Sequence, residues 1–149
     1  MRLVSDRRYR FTSSPAAFWR ALESTDRYQQ WWPWLRQFEA NGLLLGDRWR
    51  CAVRPPLPYT VRFTIELTEV EPPTTVAATI TGDITGAARI EIAPDGGAGA
   101  TVDLRSELAP NGRAFTAFAA VARPLVTRGH NWVLDTGAAQ FGRPEIHTT

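Results

Sequence analysis

Tyr59-Thr60-Val61-Arg62-Phe63-Thr64-Ile65-Glu66-Leu67-Thr68 alternates without a break. Tyr59, Val61, Phe63, Ile65 and Leu67 fall on one side of an extended chain, and Thr60, Arg62, Thr64, Glu66 and Thr68 on the other. Successive side chains of a strand point to opposite faces, so this segment is a strand with one dry and one wet face. A sheet built from such strands has to hide its dry face under another element.

The flanking segments extend the sheet in both directions. Toward the N-terminus, Gly46-Asp47 makes a turn, and Trp49, Cys51 and Val53 then alternate with Arg48, Arg50 and Ala52. Pro55-Pro56-Leu57-Pro58 separates this strand from the next, and residues 35–40 form another, closed by Asn41-Gly42. Toward the C-terminus, Glu71-Pro72-Pro73 turns the chain into a strand carrying Val76, Ala78 and Ile80 on one face. Gly82-Asp83 bends it into Ile84, Ala88, Ile90 and Ile92, and Pro94-Asp95-Gly96-Gly97 turns it again. Val102, Leu104, Ser106 and Leu108 then oppose Asp103, Arg105 and Glu107. Residues 3–11 add a strand in which Tyr9 and Phe11 alternate with Arg8 and Arg10. Short turns between successive strands imply an antiparallel meander.

Helices account for the rest. Ser13-Ser14-Pro15 offers a helix start, since serine caps and proline suits a first turn whose N–H is unpaired anyway. Phe18 and Leu22 share one face of that helix at i, i+4. Ser24-Thr25-Asp26 opens a second short helix that Pro33 ends. Residues from about 113 to 141 read as one long helix, with Phe115, Phe118, Ala119, Ala122, Val126, Gly129, Val133 and Gly137 on a broad apolar face. Arg113, Ala117, Thr127, Arg128, Asn131 and Asp135 fall opposite, and Pro124 splits the helix after Ala122 or Arg123. The expectation is an α+β domain over residues 1–142, a curved antiparallel sheet wrapped around a long C-terminal helix, with a flexible tail over 143–149.

Composition narrows the function. The 149 residues suit one domain with a core that needs no staple. All seventeen basic residues are arginine, so Schiff-base and P-loop lysine chemistry is excluded. The arginines are interspersed with acids, and only Arg7, Arg8 and Arg10 cluster, which reads as a solvated edge strand rather than a nucleic-acid surface. One cysteine and two well-separated histidines give no zinc-ligand pattern, and no cofactor motif is present. The lone cysteine, an N-terminus without an apolar signal segment and the lack of a 20-residue apolar run lead us to expect a cytoplasmic protein with no integral membrane segment. Both a monomer and a homodimer are compatible with the sequence.

Order and motifs together resemble the helix-grip fold of the START-like superfamily, and within it the polyketide cyclase/dehydrase and lipid-transport (SRPBCC) group. The matching segments are Ser14-Pro15-Ala16-Ala17-Phe18-Trp19, Tyr28-Gln29-Gln30-Trp31-Trp32-Pro33-Trp34, Leu45-Gly46-Asp47, Pro58-Tyr59, Gly82-Asp83-Ile84-Thr85-Gly86, Ala122-Arg123-Pro124-Leu125 and Gly129-His130-Asn131. The resemblance runs from about Val4 to Phe141. It implies a deep cavity between sheet and helix for a lipid, polyketide or isoprenoid-like ligand.

The expected cavity lies under Phe115, Phe118, Ala119, Ala122, Val126, Gly129 and Val133, facing Trp49, Val61, Phe63 and Ile65. Small residues on the helix either leave space there or let the sheet approach closely. Trp31, Trp32 and Trp34 crowd around Pro33; Trp31 and Trp34 are candidates for the cavity mouth, and the alternatives are a core seal or an exposed docking patch. His130, at the edge of the buried helix face, is a candidate ligand contact and a candidate acid or base, with Tyr59 and Ser106 as further catalytic candidates. Ser106 alternates with apolar residues, so its hydroxyl faces inward and can anchor a polar ligand group. None of these forms a recognisable catalytic pair. The leading reading is therefore a non-catalytic carrier or sensor for a hydrophobic small molecule, ahead of a cyclase or dehydratase and of a protein-interaction module.

Overall fold

A computed structural model describes residues 2–141, so the expected tail over 143–149, with His147, lies outside the described residues. Seven strands form one antiparallel sheet: β1 (Leu3–Phe11), β2 (Leu35–Glu39), β3 (Arg48–Val53), β4 (Val61–Glu71), β5 (Thr75–Gly82), β6 (Ile84–Pro94) and β7 (Ala100–Pro110). Their order is β1-β7-β6-β5-β4-β3-β2, so every hairpin of the meander pairs with its neighbour and β1 closes onto β7. The strand that decided the reading sits near the middle of the second half, with Trp49 opposite Ile65, Cys51 opposite Phe63 and Val53 opposite Val61.

Curvature has local causes. Gly86 adopts φ +153°, and a Cβ there would stand 1.9 Å from the Glu107 carbonyl oxygen. Only glycine lets β6 press so closely on β7 at this bend. A register shift between Leu67 and Glu69 bends β4 against β5 in the same way.

Between β1 and β2 lie α1 (Pro15–Glu23), a 3₁₀ turn (Thr25–Arg27) and α2 (Tyr28–Trp31). Ser14 caps α1 by accepting from the Ala17 N–H at 3.2 Å, with Pro15 in the first turn. After β7 come α3 (Arg113–Val121) and α4 (Arg123–Gln140). The long helix is indeed two: Ala122, at φ −111° and ψ 38°, breaks it one residue before Arg123-Pro124. The proline cannot donate to the preceding turn, so α4 starts afresh there.

The buried residues divide into two clusters along α4. One joins Phe18, Trp19, Tyr28, Trp31, Trp49 and their neighbours where α1 and α2 meet the sheet. The other joins Leu3, Ile80, Leu108, Ala119 and Val126 beneath α3 and the start of α4.

Candidate functional site

The second cluster surrounds a cavity of about 150 Å³. Its floor is the sheet, from Leu3 on β1 and Leu108 on β7 through Ile84 and Ile80 to Phe63, Val61 and Val53. Its roof is α4, through Val126, Gly129, His130, Val133 and Leu134. Phe115 of α3 and the Pro55 and Tyr59 side chains of the β3–β4 connection close one side. Strand alternation explains the floor, because each of these strand residues lies on the dry face.

Of the expected ligand contacts, Val61, Phe63, Phe115, Val126, Gly129, His130 and Val133 lie in the cavity wall, and so does Tyr59. The others stand elsewhere. Ala119 is buried among Leu3, Ile80, Leu108 and Val126, with Ile65 and Phe118 packed against that cluster. Phe118 stacks near Phe115 with centroids 6.1 Å apart and meets the Tyr59 ring at 5.4 Å. Ala122 occupies the helix break. Trp31, Trp34 and Trp49 belong to the opposite cluster. Trp49 sits on β3, whereas α2 and the turn at Pro33 carry Trp31, Trp32 and Trp34 toward the far end of α4, where the Trp32 indole N–H donates to the Gly137 carbonyl at 2.9 Å and the Trp34 N–H to Gln140 Oε1 at 2.9 Å. Trp31 is buried and Trp32 and Trp34 are half-buried; they seal the core at this end.

The helix glycines leave no empty space. A Cβ on Gly129 would stand 1.8 Å from the Tyr59 hydroxyl oxygen, and one on Gly137 would stand 3.4 Å from the Trp34 ring. Each glycine is a seat for an aromatic side chain. The Tyr59 hydroxyl, lying over Gly129, donates to the Leu125 carbonyl at 3.3 Å, and burial raises its pKa. The cavity arises instead where the aliphatic side chains of the roof fail to reach the curved floor.

One polar seam enters this apolar region, along β1. Ser5 Oγ lies 3.0 Å from His130 Nε2. Arg7 donates to Asn131 Oδ1 at 3.1 Å and its Nε is 3.5 Å from Asp135. The Tyr9 hydroxyl donates to Asp135 at 2.9 Å. Burial, helped by the Arg7 charge, lowers the His130 pKa, so the ring is held neutral. Burial and the Asp135 carboxylate raise Tyr9 to about 12. The β1 arginines thus separate by face: Arg8 bonds Asp103 at 2.8 Å on the exposed side, whereas Arg7 is turned toward α4. Sequence reading missed Ser5 and Arg7, although they share the alternate set of Tyr9 and Phe11. Asn131 and Asp135, placed on the outer helix face by the wheel, meet β1 because β1 is the last strand of the sheet and reaches around the side of α4.

Ser106 is buried opposite Ser5, and its hydroxyl has no hydrogen-bond partner among the described residues. Cys51 is buried against its own strand, and burial pushes its thiol up to about 12, which leaves it unreactive near neutral pH. Among the described residues no three His, Cys, Asp or Glu side chains converge, and no helix is long and apolar enough to cross a membrane.

Comparison with known structures agrees with this architecture. A conserved protein from Geobacillus kaustophilus superposes with a TM-score of 0.77 at 12% identity, covering 93% of this chain and 92% of that one. A Thermus thermophilus protein gives 0.69 at 14% identity, over 95% and 97% of the two chains. Norcoclaurine synthase from Thalictrum flavum, solved with dopamine and hydroxybenzaldehyde, gives 0.63 at 14% identity, over 93% and 86%. No curated protein matches the sequence. Residues 6–141 match the family described as polyketide cyclase/dehydrase and lipid transport. With a seven-stranded sheet gripping α4 and an apolar cavity between them, this chain belongs to that family of ligand-binding folds.

Proposed function

We propose that this protein binds a hydrophobic small molecule in the cavity between sheet and α4, as a carrier or sensor. The observation that carries this reading is the apolar space of about 150 Å³ between the sheet and α4. Native interiors are packed to the density of organic crystals, so an apolar space of this size is room for a molecule about as large as benzene. The neighbouring norcoclaurine synthase, on the same fold, was solved with single-ring ligands. A compartment that keeps thiols reduced, such as the cytoplasm, suits the single buried cysteine.

The test is direct. The protein is denatured and its extract examined by mass spectrometry, and toluene binding to the emptied protein is titrated by NMR. Binding should be saturable and should disappear in Val133→Phe, which fills the roof. An extract without ligand together with no saturable shift would overturn the reading.

A second reading is a cyclase- or dehydratase-type enzyme in the same cavity. A neutral His130 at the wall, held by Ser5, supports it, because a neutral imidazole can accept a proton. Unchanged turnover of a poly-ketone substrate by His130→Ala would remove this role.

A further inference from the structure

We infer that the end of the molecule around α3 docks on an anionic lipid surface, so that the side wall of the cavity faces the phase in which an apolar ligand is dissolved. The docking surface goes beyond the ligand-binding reading; the choice of a lipid as its occupant rests on that reading.

The first observation is the distribution of charge. The chain has fifteen acidic residues, yet none lies between Asp47 and Glu66 and none between Glu107 and Asp135. The first gap contains the β3–β4 connection with Arg54, and the second contains α3 and the first half of α4 with Arg113, Arg123 and Arg128.

The fold brings these two segments together. Tyr59 of the connection donates to the Leu125 carbonyl at 3.3 Å and meets the Phe118 ring at 5.4 Å. Leu57 reaches Gly129, where its Cδ1 would stand 3.3 Å from an added Cβ. Arg54, Arg113, Arg123 and Arg128 are all exposed, and none is paired with a carboxylate among the described residues. The two carboxylates nearest in the structure are already engaged. Asp83 accepts from the Arg62 backbone N–H at 2.9 Å, and Asp135 accepts from Tyr9 at 2.9 Å beside Arg7. This end of the molecule therefore carries uncompensated positive charge.

The second observation is the apolar surface set among these arginines. Val121, the last residue of α3 before the break at Ala122, is 89% exposed, more than any other large hydrophobic residue described. Ala114, Ala117 and Ala120 of the same helix are exposed too, as are Pro56 and Pro58 on either side of Leu57. Leu44 and Leu45 are also exposed, but they stand in the β2–β3 connection, where Arg48 is paired with Glu66 at 3.0 Å. Apolar surface and unpaired arginine coincide at the α3 end.

A bilayer with anionic head groups meets both demands. Its surface potential attracts the arginines, and its interface accepts the apolar side chains between them. An acidic protein would answer the charge alone. The position of the surface favours lipid: Pro55, Tyr59 and Phe115, from the same two segments, line the cavity, so an apolar molecule leaving a bilayer here has one protein wall to pass.

The probe is a set of vesicles, of phosphatidylcholine alone or with roughly one third phosphatidylglycerol, sedimented with the full-length protein at low and high salt. Binding should require phosphatidylglycerol and should fall as salt is raised. Arg113→Gln with Arg123→Gln should weaken it roughly 25-fold, about fivefold for each arginine near a charged membrane. Val121→Ser, which changes no charge, should weaken it roughly fivefold, as expected for partial burial of one valine. Arg36→Gln on β2 and Leu45→Ser should leave it unchanged, and circular dichroism checks that each variant is folded. No binding to the anionic vesicles at low salt would overturn the inference. An equal loss in Arg36→Gln and Leu45→Ser would overturn the assigned surface. Charge-dependent binding that Val121→Ser leaves intact would overturn lipid as the occupant in favour of an acidic protein. Toluene binding is read separately, so the docking surface and the cavity reading can each fail alone.

Discussion

The two ends of α4 solve the same packing problem in opposite ways. At the C-terminal end, Phe11, Phe18, Tyr28, Trp31, Trp32 and Trp34 interlock around Phe141, with ring centroids mostly 5–6 Å apart, and two indole N–H groups are bonded to the helix. At the N-terminal end, aliphatic side chains from roof and floor face each other across about 150 Å³ of open space. A curved sheet cannot touch a straight helix along its whole length, and the tryptophans gather where contact is made, while Tyr59, Phe63 and Phe115 stand in the wall of the open end. Close packing and open space thereby fall at different ends of one helix.

Substitutions at the aromatic end should break this division most visibly. Phe18→Ala and Trp31→Ala remove side chains 4% and 6% exposed and should each cost about 3–5 kcal/mol in urea unfolding. Phe115→Ala, at the cavity rim, should cost about 1 kcal/mol and alter ligand affinity instead. Equal costs at the two ends would remove the contrast.

The next effect sits at the junction. Gly129→Ala places a Cβ where the Tyr59 hydroxyl lies, and should cost about 1–3 kcal/mol of stability through that clash. In a Tyr59→Ala background the same substitution should be neutral or gain up to about 1 kcal/mol, the helix preference of alanine over glycine. An additive double-mutant cycle would show that the two residues do not meet.

The polar seam gives a pH dependence of known sign. His130 has a lower pKa in the folded protein than in the unfolded chain, so between the two values the unfolded state binds more protons. Its contribution to stability is complete above about pH 6.5, the unfolded value, and is lost as pH falls through the folded value. Unfolding curves between pH 7.5 and 5 should show this loss, and His130→Gln should flatten it. A steeper decline in the variant would contradict the assignment.

The smallest effect is at Cys51. Its buried thiol, pushed up to about 12, should react with a maleimide at pH 7.5 only as fast as the aromatic end opens. Rapid labelling of the native protein would mean that this end is looser than its packing indicates.

The strands were legible because their alternation is local, and β4 gave two residues of the cavity floor, Val61 and Phe63. The helix break was legible from Pro124. Two features were not. Trp31 and Trp34 were candidates for the mouth because sequence gives their apolar area but not the direction of α2, which sends them to the far end of α4. Arg7 read as part of a solvated edge because three nearby arginines suggest one charged surface, and Ser5 beside them was not singled out. Their inward direction was present in the alternation with Tyr9 and Phe11. Their partners on α4 were not, since residues about 125 positions apart meet only once β1 has closed on β7.

The placement of the tryptophans has a spectroscopic consequence. Trp19, Trp31, Trp32, Trp34 and Trp49 all belong to the aromatic end, and Trp132 lies against Trp34 with centroids 6.1 Å apart. None lines the cavity. Intrinsic emission from this protein therefore reports on one end of α4: it follows unfolding and passes over an occupant of the cavity, which sits instead beside Tyr59 and Phe115. A ligand screen that relies on tryptophan quenching would look in the wrong half of the molecule.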